Sequence, residues 1–374
     1  MRVLSVFGTR PEAVKMAPII RLLQPTPDIE SRVCVTAQHR QMLDQVLELF
    51  QIKPDYDLDL MRDNQSLAAI SASIFTHLDP VLADFQPDWV LVVGDTTTVV
   101  TTSQLAYYRQ IKVGHVEAGL RTHNKWHPFP EEINRRIATV IADLHFAPTK
   151  WSQENLLREG VDAKTILVTG NPVIDALNFV RKQGEPQEIT TLINQLELKT
   201  RKLILLTAHR RENLGQPLEN ICYAIKELAS RDDVEIVYPV HLNPKVQEPV
   251  NRILKGISHV TLLSPLDYLP MVHLMKHAKL ILTDSGGLQE EAPSLGVPVL
   301  VLRETTERPE GVEAGTLKLV GTENSHIVRE VTRLLNDPIA YAEMAKAVNP
   351  YGDGHAAERI IEALLRTQTS IEPR

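Results

Sequence analysis

The run Leu280-Ile281-Leu282-Thr283-Asp284-Ser285-Gly286-Gly287-Leu288-Gln289-Glu290-Glu291-Ala292-Pro293-Ser294-Leu295-Gly296-Val297-Pro298-Val299-Leu300 decides how the chain is read. Leu280 to Leu282 is a short apolar run suited to a buried strand, and the Asp-Ser-Gly-Gly turn after it feeds a helix. Backbone N–H groups at that helix start, with no side chains on Gly286 and Gly287, can approach a phosphate closely, so the turn is a place to hold a diphosphate. Glu290 and Glu291 are expected in the first turn of this helix, where the dipole favours them and ribose hydroxyls are their natural partner. Pro293 and Gly296-Val297-Pro298 stop the helix and hand over to a strand from Val297 to Val301. The run is then one strand-turn-helix-strand unit of a parallel sheet. Such a corner also occurs without any ligand, so its meaning depends on the rest of the chain.

Working outward, the same alternation recurs. Val3 to Phe7, Arg32 to Thr36, Trp89 to Val93 and Lys112 to Val116 read as strands, separated by helices from about His39 to Phe50, Leu67 to Asp84 and Thr97 to Arg109. In Gly8-Thr9-Arg10-Pro11-Glu12, Thr9 and Glu12 have capping-box spacing and Pro11 is tolerated in the first turn. A second set begins after Thr169-Gly170-Asn171-Pro172, with strands Leu203 to Thr207, Val234 to Pro239, Val260 to Leu263, Leu280 to Leu282 and Val297 to Val301. The polar run Lys182 to Thr200 reads as a loose helical insert. The fold class is α/β, with two open parallel sheets, each covered on both faces, facing each other and meeting near residues 170–180. In such sheets ligands bind beyond the carboxyl ends of the strands. The last helix, roughly Ala356 to Leu365, could belong to either half.

Composition sets bounds. A chain of 374 residues is long for one core and comfortable for two domains, and 43% hydrophobic with 23% charged residues suffices for a sizeable core. The net charge of −7 argues against a nucleic-acid surface, so any anionic ligand must be met by local cations. Cys34 and Cys222 suggest reduced, buried thiols of a cytoplasmic protein. Met1 to Phe7 is too short for a signal peptide core, and no apolar run is long enough to span a bilayer, so a soluble chain is expected. Gly352-Asp353-Gly354-His355-Ala356-Ala357 matches a dinucleotide fingerprint but follows Asn349-Pro350-Tyr351 instead of a strand, which makes nicotinamide binding improbable. His273 and His277 have helical metal spacing without the accompanying motif and read as ordinary helix histidines. No phosphate-binding Walker sequence or zinc pattern occurs.

The chemistry concentrates at predicted strand ends. Asp95, Glu117 and the Arg10 turn each follow a strand and would line one wall of a cleft. Glu131 opens a helix behind Pro128-Phe129-Pro130, giving three carboxylates for proton transfer. The plainer alternatives are that Glu131 and Glu132 only favour a helix N-terminus and that Glu117 pairs with Arg121. On the second sheet, His209 in Ala208-His209-Arg210-Arg211-Glu212-Asn213 could hydrogen-bond a phosphate or protonate a leaving group. Arg303 and Arg308 suit a pyrophosphate clamp, because guanidinium forks match phosphate oxygens. Arg211 and Glu307, taken singly, read as solvated surface.

These stretches together resemble a known family. Phe7-Gly8-Thr9-Arg10-Pro11-Glu12-Ala13, Gly94-Asp95-Thr96-Thr97-Thr98, His115-Val116-Glu117-Ala118-Gly119-Leu120-Arg121, Pro130-Glu131-Glu132, His209-Arg210-Arg211-Glu212, Asp284-Ser285-Gly286-Gly287 and Thr306-Glu307-Arg308-Pro309-Glu310 resemble the non-hydrolysing UDP-N-acetylglucosamine 2-epimerases, in order and over nearly the whole chain. The resemblance implies two Rossmann-like domains facing across a cleft, as in GT-B glycosyltransferases. Residues 1–172 would carry the catalytic carboxylates and residues 173–374 the UDP site, with the helix at about 356–366 able to pack back on the first domain. It implies a cytoplasmic homodimer that interconverts UDP-GlcNAc and UDP-ManNAc for surface polysaccharide, without cofactor or metal, nucleic acid or membrane. Carried onto this chain, Asp95, Glu117, Glu131 and His209 become catalytic. Arg10, Lys15, Arg135, Ser285, Gly286, Gly287, Glu291 and Arg308 bind substrate. Leu266 and Met271, in a segment resembling the uracil-contacting loop, stand where the family often has Gln and Phe, so base affinity is expected to differ. Gln38, His39, Gln41, Arg210, Glu212 and His241 resemble a site where a second substrate molecule acts as activator. The alternatives weighed are a hydrolysing 2-epimerase, a GT-B glycosyltransferase using a UDP-sugar, and a catalytically silent UDP-sugar sensor.

Overall fold

Every strand pairing in the computed structural model is parallel, among the described residues 1–37, 40–60, 62, 65–196 and 198–369 (main chain alone at 41, 368 and 369). The chain forms two units, one of residues 1–178 joined by those from Tyr351 onward, the other of residues 179–350.

The first unit runs β1 (Arg2–Phe7), α1 (Arg10–Leu23), β2 (Glu30–Val35), α2 (Arg40–Leu49), β3 (Tyr56–Asp57), α3 (Leu67–Phe85), β4 (Trp89–Val93), α4 (Thr97–Tyr108), β5 (Lys112–Val116), α5 (Glu131–Ile141), β6 (Leu144–Ala147), α6 (Lys150–Arg158), β7 (Ile166–Val168) and α7 (Pro172–Val180). The sheet order is β3-β2-β1-β4-β5-β6-β7. Strand order reverses between β1 and β4, which opens a crevice at their carboxyl ends. Val3, Leu4, Val6 and Phe7 of β1 and all of β4 are buried, as strands with helices on both faces must be. The C-terminal helix Ala356–Thr369 packs on α1.

The second unit runs α8 (Gln187–Gln195), β8 (Lys202–Thr207), α9 (Gln216–Leu228), β9 (Val234–Pro239), α10 (Pro244–Leu254), β10 (Val260–Leu263), α11 (Tyr268–His277), β11 (Leu280–Thr283), α12 (Gly286–Glu291), β12 (Val299–Val301), α13 (Pro309–Glu313), β13 (Leu317–Leu319), α14 (Asn324–Asn336) and α15 (Pro338–Ala345). Its order, β10-β9-β8-β11-β12-β13, reverses between β8 and β11. One apolar core joins β8, β9 and β11 to α9, α10 and α14. The α/β reading with two doubly wound parallel sheets is thus the observed architecture.

Several local expectations are corrected. Because α12 begins at Gly286, Glu290 and Glu291 occupy its last turn and not its first. The strand expected from Val297 starts at Val299, after a single 3-10 turn capped by left-handed Gly296. The polar insert contains α8, whose Ile189 and Leu192 are buried. Glu185, just before it, is hydrogen-bonded to His277 at 2.6 Å and lies 3.8 Å from the buried His273. No group of three or more ligands able to hold a metal ion occurs among the described residues. Among them, too, no helix is long and apolar enough to cross a membrane. Cys34 and Cys222 are buried free thiols, and burial pushes Cys222 up to about 12.

The glycine fingerprint near the C-terminus has a structural use. Gly352 lies against Gly170, and Asp175 of α7 accepts from the Ala356 and Ala357 amides at 3.2 and 2.9 Å, capping the C-terminal helix. A carboxylate occupies the place a phosphate would take.

Candidate active site

In the first unit the switch point is built on Glu12. Its Oε2 accepts from the Gly8 amide (2.9 Å), the Thr9 amide (2.7 Å) and the Thr9 hydroxyl (2.9 Å), the carboxylate half of a capping box. Its Oε1 accepts from Thr96 Oγ1 at 2.5 Å, so the turn after β1 is tied to the turn after β4. Burial raises the Glu12 carboxyl, while Thr96, Gly8 and Thr9 oppose the rise. Gly8 is required here, since a Cβ would lie 2.0 Å from Thr36 Oγ1. Arg10 opens α1 and Lys15 lies one turn further along it.

Beside these turns stand the predicted carboxylates. Asp95 follows β4 and receives Arg135 through Nε (2.9 Å) and Nη2 (2.6 Å), while Asn134 donates to its carbonyl at 2.8 Å. Glu117 follows β5 with φ at 62°, an uncommon conformation for a non-glycine residue and one that recurs at functional sites. Its buried carboxylate is ion-paired with Lys15 and accepts from Asn171 Nδ2 at 2.8 Å. Glu131 is the first residue of α5 and is half-buried. The ends of β4 and β5 and the start of α5 therefore bring Asp95, Glu117 and Glu131 to one edge. His115, buried behind Glu117 and bonded to the Gly94 carbonyl at 2.8 Å, is pushed down to about 4, mainly by burial.

The alternative pairing is overturned. Arg121 is engaged bidentately by Glu159 at 2.8 and 2.7 Å, and its Nη2 also donates to Thr139. Nor does Glu132 merely favour a helix N-terminus. Fully buried, it accepts from the Thr122 and His123 amides (2.9 and 3.1 Å) and from Arg135 Nη1 (3.3 Å), bracing the loop before Glu131.

The second unit repeats the device with Asp284. This buried residue follows β11, and its Oδ2 accepts from the His209 and Arg210 amides (2.8 Å each) and from Asn213 Nδ2 (3.0 Å). Thr207 and Thr283 share a 2.6 Å hydroxyl contact across the same gap. The turn after β8 is thereby locked to the turn after β11. His209 Nδ1 lies 3.7 Å from Asp284 Oδ1, and the His209 ring stacks on His241 with centroids 5.2 Å apart.

Ser285 is the N-cap of α12 and Gly286 its first residue. A Cβ on Gly286 would sit 2.7 Å from Arg308 Nη1, so the missing side chain is what lets that guanidinium lie over the helix start. Arg308 is held from behind by Glu290 at 2.6 Å and Glu307 at 3.3 Å, which makes Glu290 a positioning partner and overturns the solvated-surface reading of Glu307, buried at 7% exposure. Arg211 is exposed. Arg303 is buried, bonded to Glu212 at 2.5 Å, and its Nη1 has no hydrogen-bond partner among the described residues. Glu291 is buried beside Gly287. Leu266 and Met271, both half-buried, flank the start of α11. Of the remaining expected residues, Gln38 and His39 lie outside the described residues, as does the Gln41 side chain. The sequence assigns no role to Asn171, and it does not reveal that Glu12 also reaches Thr96, that Asp284 holds the His209 turn or that Glu290 braces Arg308. These four pairs are 18 to 84 residues apart, and no local pattern encodes them.

Comparison with known proteins shows which family shares this sequence and fold. The UDP-N-acetylglucosamine 2-epimerase family model matches residues 21–365. The UDP-N-acetylglucosamine 2-epimerase of Yersinia pestis is 56% identical over 376 residues, covering 99% of this chain and 100% of its own. A crystal structure of the UDP-GlcNAc 2-epimerase from Neisseria meningitidis bound to UDP-GlcNAc is 52% identical, with a TM-score of 0.91 over 98% of this chain and 100% of that one. The Methanocaldococcus jannaschii UDP-GlcNAc 2-epimerase, in complex with UDP-GlcNAc and UDP, is 34% identical, with a TM-score of 0.82 over 98% and 100%. Similarity this extensive in sequence and fold leaves one conclusion: the chain belongs to the UDP-N-acetylglucosamine 2-epimerase family of isomerases.

Proposed function

We propose that this chain interconverts UDP-GlcNAc and UDP-ManNAc by eliminating UDP to a 2-acetamidoglucal and adding it back, without net hydrolysis. The observation that carries the reading is the pair Asp95 and Glu117, at the carboxyl ends of adjacent strands and each matched to its own cation, in a chain of an epimerase family. C2 of the sugar is not acidified by a carbonyl, since C1 is an acetal carbon. As the C1–O bond breaks and its electron pair leaves on the UDP phosphate, positive charge grows at C1 and the C2 proton becomes acidic. A carboxylate takes that proton and the C1=C2 bond forms. Protonation of the opposite face of C2 and return of the UDP oxygen to C1 give the epimer. Two carboxylates serve two faces, and Asp95, Glu117 and Glu131 are the candidates.

Arg10, Arg308, His209 and the backbone donors of Ser285-Gly286-Gly287 would stabilise the departing diphosphate, with Glu291 at the ribose and Leu266 and Met271 at the base. Arg135 orients Asp95, and Lys15 acts through Glu117. We assign the proton chemistry to the N-terminal unit and UDP binding to the unit of residues 179–350. Arg210, Glu212 and His241 belong in this reading to an activating second substrate site, and the enzyme to a cytoplasmic homodimer. The ligands of the Neisseria and Methanocaldococcus structures support UDP-GlcNAc as substrate. Incubation with UDP-GlcNAc in D₂O, followed by proton NMR, tests the scheme. Deuterium at C2 of both UDP-sugars is expected; free ManNAc with stoichiometric UDP, or epimer without deuterium, would overturn it.

A further inference from the structure

We propose that Asn171 is a positioning residue for Glu117, held by the Tyr351-Gly352 turn, and that it keeps this carboxylate in its proton-accepting form. The proposal rests on Glu117 being one of the groups that exchange a proton with C2. Asn171 is 1% exposed and its amide is fully oriented. Its Oδ1 accepts from the Val173 amide at 3.2 Å at the start of α7, which fixes the flip and turns Nδ2 toward Glu117 Oε2, 2.8 Å away. Its backbone amide donates to the Tyr351 carbonyl at 2.7 Å.

That backbone contact needs two glycines. Gly170 and Gly352 both have positive φ, and a Cβ on Gly352 would come within 3.1 Å of Gly170 Cα and 3.4 Å of Asn171 N. Arg359 of the C-terminal helix closes the clasp by donating to the Thr169 carbonyl at 2.9 Å and to Asp353 at 2.9 and 2.6 Å. The Tyr351-Gly352 turn that opens the Gly352-Asp353-Gly354 fingerprint thus sets a side chain that touches Glu117.

An amide donor is suited to this task. It stabilises the carboxylate over the acid and does not itself titrate near neutrality. Lys15 of α1 and His115 of β5 are titratable groups that face Glu117 among the described residues. Burial keeps His115 neutral, so the Lys15 ammonium and the Asn171 amide both favour the charged form of Glu117 while His115 adds no charge beside it.

Two variants separate positioning from folding. Asn171→Ser keeps an oxygen able to cap α7 but is too short to reach Glu117. Asn171→Asp keeps the cap and sets a like charge against it. With the full-length enzyme and UDP-GlcNAc, the acid limb of the kcat/KM profile should move up by about one pH unit in Asn171→Ser and further in Asn171→Asp, with UDP affinity unchanged. Gly352→Ala, which touches no substrate-binding group, should move the limb in the same direction. An unmoved limb in all three folded variants, whatever the rate loss, overturns the proposal. Wild-type enzyme that places no deuterium at C2 would instead overturn the catalytic reading beneath it.

Discussion

Replacing Gly286 by alanine should loosen UDP binding while leaving the fold almost untouched. The added Cβ would stand 2.7, 2.9 and 3.0 Å from Nη1, Cζ and Nη2 of Arg308. Ordinary contact is about 3.5 Å, so the guanidinium must retreat by roughly 0.5–0.8 Å. Since it is the far end of a flexible side chain, the backbone need not move, and alanine inside a helix is favoured over glycine by about 0.5–1 kcal/mol. Net stability should therefore change by about 1 kcal/mol or less. The fork cannot slide freely, however, because Glu290 and Glu307 hold it from behind at 2.6 and 3.3 Å. It must rotate away from the start of α12, where a diphosphate would lie. One charge-assisted hydrogen bond is worth about 1.5–3 kcal/mol, which corresponds to a loss of affinity of about 10- to 100-fold. Calorimetric titration with UDP, alongside a thermal melt, reads both quantities. Gly184→Ala, where a Cβ meets nothing within 4 Å, is the control. UDP affinity equal to wild type in Gly286→Ala, with the fold intact, would refute the assignment of Arg308 to the phosphate.

Glu117→Gln and Glu131→Gln should each lower turnover by at least about 10²-fold, and near wild-type rates in either would remove that residue from the proton chemistry. Stability should fall on acidification because His115 stays neutral in the fold down to about 4, while the unfolded chain protonates it near the ordinary histidine value of about 6.5. The contribution is complete above the unfolded value and is lost as pH falls through the folded one, about 3 kcal/mol in all, so the stability gap between wild type and His115→Phe in urea titrations should narrow across that window. Asp175→Ala removes two caps from the C-terminal helix and should cost about 1 kcal/mol, seen as a lower urea midpoint with UDP affinity retained.

The architecture was legible because it is written in local periodicity. Alternating apolar strand runs and amphipathic helices require a parallel sheet covered on both faces, and the strand ends so located already put Asp95, Glu117, His209 and Ser285 at carboxyl edges. Short elements were harder: β3, β7 and β13 have only two or three residues, too few for a period to show. What tertiary structure alone decided is which charged groups meet. Arg121 faces Glu159 instead of the nearby Glu117, because Glu117 turns in a left-handed conformation toward Lys15 and Asn171. Glu290 braces Arg308 from the last turn of α12, a position that depends on where the helix begins. Sequence spacing determines neighbours along a helix or strand, within about one turn or one pleat. Partners from different elements are chosen by sheet order and by the cost of burying a charge without a counterpart, and both are properties of the folded chain.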